Sequence, residues 1–197
     1  MNVWYSLSDI PGNEASVVTI GNFDGMHNGH KKVISTCIER AHKLGIDAVA
    51  ITFDPHPIQV HRPEVGLQLI SPLRDRLDAM AAAGLDATLV AHYDASVYSL
   101  EADEFVYEYL VERCGAREVV VGEDFRFGRG NAGTIDTLRE LGRRYGFNVI
   151  TVTDIEAPEG RRWSSSWVRE LLAAGDVSGA ARVLGHLHRI LGTVCHG

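Results

Sequence analysis

One stretch constrains this chain more than any other: Gly21-Asn22-Phe23-Asp24-Gly25-Met26-His27-Asn28-Gly29-His30. Ser16 to Ile20 before it reads as a buried strand. After it, Val33, Ile34, Cys37, Ile38, Ala41 and Leu44 recur at helical spacing. The stretch is therefore a strand-to-helix turn whose last residues open a helix. The free N–H groups and positive dipole end of such a helix favour an anion. His27 and His30, three positions apart, fall on one side of the first turn. Gly29 leaves the space between them open to a ligand. The alternative is that one imidazole caps the helix and the other is a satisfied core group. The full ten residues favour a phosphate site.

The rest of the chain alternates strand and helix patterns. Further strands are expected at Ala48–Phe53, Ala87–Ala91, Glu118–Gly122 and Asn148–Val152. Helices are expected between them, with Gly45 and Gly84 as stops, Ser71-Pro72 and Ser99 as starts, and a helix from Thr134 to Tyr145. Phe105, Val106, Tyr109 and Leu110 form the buried stripe of the helix after Ser99. This predicts an α/β fold: a Rossmann-like, doubly wound parallel sheet of five strands with helices on both faces. Ligands in such sheets bind at the carboxyl ends of the strands. A small helical tail follows, with helices at 164–174 and 176–184 broken at Gly175. Residues 189–196 read as the start of a further strand. The longest loops are 54–69 and 123–133, and long loops in compact domains are often functional.

Three more motifs leave strand ends. Phe53-Asp54-Pro55-His56-Pro57 brackets an imidazole between prolines, which suits either a wall for a flat ring ligand or an ordinary rigid turn. In Asp124-Phe125-Arg126-Phe127 the aromatics either face such a ring or return to the core. Arg162-Trp163-Ser164-Ser165-Ser166-Trp167-Val168-Arg169 opens a late helix. Its serines read as caps, and with Arg162 and Arg169 they also make a second anion site. Gly128-Arg129-Gly130-Asn131-Ala132-Gly133 fits the dinucleotide pattern Gly-x-Gly-x-x-Gly, with Asp154 as its ribose acid. Against that dehydrogenase reading, Glu123 to Phe127 separate the glycines from the strand they should follow.

His-x-Gly-His after a glycine-rich turn resembles the signature of the nucleotidyltransferase superfamily. The longer Gly-Asn-Phe-Asp-Gly-x-His-x-Gly-His form is similar to that of the bacterial FAD synthetases, which join FMN adenylyltransferase to riboflavin kinase. The resemblance runs from about Val17 to Gly197, with four motifs in the family's order. It implies transfer of AMP from ATP to FMN, giving FAD and pyrophosphate, by direct attack of an FMN phosphate oxygen on the α-phosphorus. It implies His27, His30, Asn22 and Arg169 as catalytic, and Gly21, Phe23, Asp24, Gly29, Arg162, Ser164, Ser165 and Ser166 as ATP-binding. It further implies Phe53, Asp54, Pro55, His56, Pro57, Asp124, Phe125, Arg126 and Phe127 as flavin-binding. Mg²⁺ is expected to accompany ATP, with no dedicated metal ligands in the chain. Ser166 stands where the family has Thr, and Trp163 and Trp167 are bulkier than expected. The resemblance divides the chain at 1–186, the adenylyltransferase domain, and 187–197, the start of a riboflavin kinase domain. Gly192-Thr193-Val194-Cys195-His196-Gly197 matches the Gly-x-Val-x-His-Gly that precedes the kinase barrel, so kinase activity is not expected of these residues.

Composition narrows the alternatives. The net charge of −7 argues against a broad nucleic-acid-binding face, so an anion must be held by local donors. Three cysteines, Cys37, Cys114 and Cys195, without Cys-x-x-Cys spacing suggest reduced thiols in a cytoplasm. No signal peptide or membrane-spanning run is visible. Two other functions stay open: nucleotidyl transfer to another acceptor, such as phosphopantetheine or a modified flavin, and a non-catalytic nucleotide or flavin sensor.

Overall fold

A computed structural model describes residues 1–12, 14–153 and 160–195. Six parallel strands form one sheet: β1 (Asn2–Trp4), β2 (Ser16–Ile20), β3 (Asp47–Asp54), β4 (Ala87–His92), β5 (Ala116–Gly122) and β6 (Asn148–Val152), in the order β1-β4-β3-β2-β5-β6. The five expected strands are all present within a residue or two. The sixth, β1, pairs with β4 at the edge through Asn2↔Ala87 to Trp4↔Leu89. Three residues are too few to carry a period, so only the pairing reveals it. The chain winds outward from β2 in both directions. The carboxyl ends of β2 and β5 therefore flank the switch point where such sheets bind ligands.

Helices cover both faces: α1 (Asn28–Leu44), α2 (Pro57–His61), α3 (Leu73–Ala83), α4 (Ala95–Tyr98), α5 (Ala102–Phe105) continued by a π-wound stretch (Val106–Arg113), and α6 (Ile135–Tyr145). The strand period of two splits the core. Val18, Ile20, Val49, Ile51 and Leu89 face Phe105, Leu110 and Leu138. Val17, Ala48, Ala50 and Val120 face Ile34, Cys37, Ala41 and Met80. Ala48 and Ala50 pack in the same core as Ile34, Cys37 and Ala41 of α1. The tail helices α7 (Ser165–Ala173) and α8 (Val177–Leu184) form a satellite core of Val168, Ala180, Val183 and Leu184 with Ile70.

Several local expectations change. Pro72, not Ser71, occupies the cap position of α3, because the Ser71 hydroxyl accepts from the Gly25 N–H at 3.0 Å. Ser99 ends α4, and Glu101 precedes α5. The loop 54–69 contains α2 and a 3₁₀ turn at Pro63–Val65. Residues 189–195 form no strand, and His196 and Gly197 lie outside the described residues. The Gly128–Gly133 pattern does not open a helix. Phe127 and Gly133 bond each other's backbone, Arg129–Asn131 is a 3₁₀ turn, and α6 begins later behind a Thr134 cap. Its glycines therefore do not present a helix N-terminus to a ligand. Asp154, its expected ribose acid, lies outside the described residues.

Candidate active site

After Gly21 donates its N–H to Ile51 O at 3.0 Å, the chain leaves the sheet. Phe23 and Met26 then take positive φ, 51° and 44°, where side chains are strained. The surroundings hold this turn on all sides. The Asn22 carbonyl accepts from Thr52 Oγ1 and Arg76, Phe23 O from the Met26 N–H, Asp24 O from Ser165 Oγ, and Gly25 O bonds His186 Nε2. The buried Asp24 carboxylate accepts from the N–H groups of Ile70 (3.0 Å) and Ser71 (3.1 Å) and pairs with Arg169. The carbonyls of residues 22–25, taken away from the sheet by the turn, thus regain partners.

The turn delivers His27 to the cap of α1, where its Nδ1 accepts the His30 N–H at 3.3 Å. An accepting Nδ1 puts the proton on Nε2. The two rings stack, with centroids 3.6 Å apart and planes 22° from parallel, and Phe23 packs edge-on to His30 at 5.3 Å. A Cβ at residue 29 would lie 3.1 Å from the His27 ring, so any larger residue would press that ring out of place by a few tenths of an ångström. Burial pushes the His27 pKa down to about 4, helped by Arg162 and Arg169. Burial, with His27 and Arg162, holds His30 well below the ordinary range. Both imidazoles are therefore neutral at pH 7 and act as N–H donors without charge. His27 is indeed a cap. His30 is not a satisfied core group, because its buried Nδ1 has no partner.

A cavity of about 300 Å³ opens here, between the ends of β2, β5 and β6 and the start of α7. Gly21, Phe23, His27, Gly29 and His30 line one side. Asp124, Phe125, Arg162, Ser164 and Ser165 line the other. Arg162 and Asp124 form an ion pair at 2.8 Å, which joins the loop after β5 to the segment before α7. Ser164 also caps α7, its Oγ accepting from the Trp167 N–H at 3.2 Å.

The other expected residues sit elsewhere. Arg169 does not line the cavity, because its guanidinium is engaged by Asp24 and by Gln68 O at 2.8 Å. Asp24 is the buried bracket just described, and Asn22 contributes its backbone carbonyl. Ser166 and Arg126 are exposed. Phe127 is buried against Phe105 and Phe125, so the core reading holds for it and the ring-facing reading only for Phe125. None of Phe53 to Pro57 lines this cavity. Phe53 packs on Tyr93, Asp54 pairs with Arg76, Pro55 follows a cis peptide bond, and His56 caps α2, whose first residue is Pro57. Trp163, from the late anion segment, also lines the cavity, as do Lys32, Val33 and Thr153, which the motifs did not include. Lys32, two residues past His30, was the most legible of these.

The model of the family described as FAD synthetase matches residues 9–167. The chain belongs to the FAD synthetase family. It is 37% identical over 187 residues to the bifunctional riboflavin kinase/FMN adenylyltransferase of Pseudomonas fluorescens, covering 95% of this chain and 60% of that protein. It is 35% identical over 193 residues to the protein of the same name from Escherichia coli K12, covering 98% of this chain and 61% of that protein. The chain thus spans about three fifths of these relatives' length. A crystal structure of a macrolide-efflux protein from Streptococcus pneumoniae matches with a TM-score of 0.81 at 27% identity, over 94% of this chain and 61% of that one. Among the described residues of this FAD synthetase family member, no helix is long and apolar enough to cross a membrane.

Proposed function

We propose that this chain transfers AMP from ATP to FMN, releasing FAD and pyrophosphate. The observation that carries the reading is the stacked, neutral His27–His30 pair at the mouth of α1, opening on the same cavity as Arg162, Asp124 and Phe125. An FMN phosphate oxygen attacks the α-phosphorus of ATP. The new O–P bond forms as the bond to the oxygen bridging the β-phosphorus breaks, and pyrophosphate leaves with that electron pair. No covalent enzyme intermediate is required, so positioning and charge stabilisation carry the catalysis. His27 Nε2–H, His30 and the unbonded N–H groups of the first turn of α1 donate to phosphate oxygens. Arg162, drawn off Asp124, meets the charge that grows on pyrophosphate.

Magnesium enters with the nucleotide as part of the substrate. Its ligands in this scheme are ATP phosphates and water, as is usual for magnesium bound with a nucleotide. The free thiols Cys37, Cys114 and Cys195 support a cytoplasmic setting. Residues 187–197 are read as the lead into a riboflavin kinase domain, and 1–186 as the transferase.

A second acceptor has one observation in its favour: of the segments expected to hold flavin, only Asp124 and Phe125 line the cavity. Incubation with ATP and Mg²⁺ plus FMN, riboflavin, phosphopantetheine or no acceptor separates the readings by chromatography. FAD formed from FMN alone is the expected result. Pyrophosphate release with a different acceptor only would replace FMN in the scheme, and no release with any acceptor would leave a binding module.

A further inference from the structure

Arg76 stands on the apolar stripe of α3 between Leu73 and Met80, and its side chain has no solvent exposure. A buried guanidinium is expensive, and a methionine or leucine would fill the same space without desolvation. What Arg76 does with its donors is specific. Nη1 donates to the carbonyls of Asn22 (2.9 Å) and Phe53 (3.3 Å), and Nη2 donates to Asp54 Oδ1 (3.2 Å). Asn22 is the first residue past the last ladder bond of β2, and Phe53 and Asp54 end β3. The guanidinium therefore ties two adjacent strands together where both leave the sheet. One continues into the turn that carries His27 and His30. The other continues into Pro55-His56-Pro57. Thr52 Oγ1 adds a bond to the same Asn22 carbonyl at 3.2 Å, so the junction is fastened twice.

We propose that Arg76 is a positioning residue for adenylyl transfer: it touches no substrate and fixes the phosphate turn in register with the end of β3. The catalytic half of this statement rests on the function proposed above; the anchoring half does not. Lysine keeps the charge but offers its donors from one nitrogen, without the planar fork by which Nη1 and Nη2 reach separate acceptors, so it should fix the junction only in part.

The test is Arg76→Gln and Arg76→Lys in the full chain, read by hydrogen exchange and by turnover per folded molecule. Losing hydrogen bonds to a charged group should speed exchange in the peptides spanning 21–30 and 53–60 together, by about tenfold in Arg76→Gln and by less in Arg76→Lys. The peptide covering Ala116–Gly122 should be unchanged. Turnover should fall by about a hundredfold with the KM for ATP and for acceptor little altered, because a small misplacement costs rate more than binding. Exchange that rises in neither segment, or in one alone, would overturn the anchoring. Paired exchange with unchanged turnover would overturn the positioning role. If Arg76→Gln does not fold, Arg76→Lys decides by the same readings. If the unaltered chain makes no FAD, the proposed reaction falls, and the exchange result still decides the anchoring.

Discussion

Acid should destabilise this protein through His27 in particular. In the folded chain His27 is neutral until pH falls to about 4, whereas an unfolded histidine takes up its proton near pH 6.5. Between those values the unfolded state binds more protons, so stability rises with pH. The contribution is present in full above pH 6.5, falls as pH drops toward 4, and is flat below it. From pH 7 to pH 5 the loss at this one residue comes to about 2 kcal/mol. His30, lowered for the same reason, adds in the same direction. His27→Asn removes the titration but keeps a good helix cap. Urea unfolding of both proteins at pH 7 and pH 5 isolates the effect, because the carboxylates are common to both. The unaltered chain should lose more stability than the variant across that interval, by about 2 kcal/mol. Parallel losses would mean that His27 is not buried neutral, and the stacked arrangement would be wrong.

Other perturbations test separate parts of the site. His30→Ala should lower adenylyl transfer by about a hundredfold while circular dichroism and the unfolding midpoint show an intact fold. Asp24→Ala leaves the Ile70 and Ser71 N–H groups and the Arg169 guanidinium without their shared acceptor, and should cost about 3–5 kcal/mol in chemical denaturation. Arg162→Ala should weaken ATP binding by about tenfold in calorimetry. Asp124→Asn should tighten it by up to about fivefold, because ATP no longer competes with a partly exposed ion pair for Arg162.

The strands were legible because each is an apolar run bounded by a turn signal, and the first helix because its apolar positions repeat over several turns. The turn at 21–30 was legible because its two histidines and glycines lie in one local stretch. What escaped was non-local or lacked a period. β1 is visible only through its pairing with β4. Asp24 and Arg169 are 145 residues apart, and nothing in either segment says that they bond each other. Both were therefore expected to face a nucleotide, whereas they bond each other and brace the turn that carries His27 and His30. Phe125 and Phe127 look alike in sequence, yet Phe125 reaches the cavity wall while Phe127, held by its backbone bonds to Gly133, is buried in the core. Arg76 did leave a signal, a cation on the apolar face marked by Leu73, Leu77 and Met80.

The claim beneath all of this is that uncharged imidazole N–H groups at the start of α1 hold nucleotide phosphate. Nitrogen-15 NMR of the histidine side chains at pH 7, with and without Mg·ATP, tests it most directly. A neutral His27 protonated on Nε2, with the His27 and His30 ring signals moving as ATP is added, is the predicted result. A charged ring, a proton on His27 Nδ1, or ring signals indifferent to saturating ATP would contradict it.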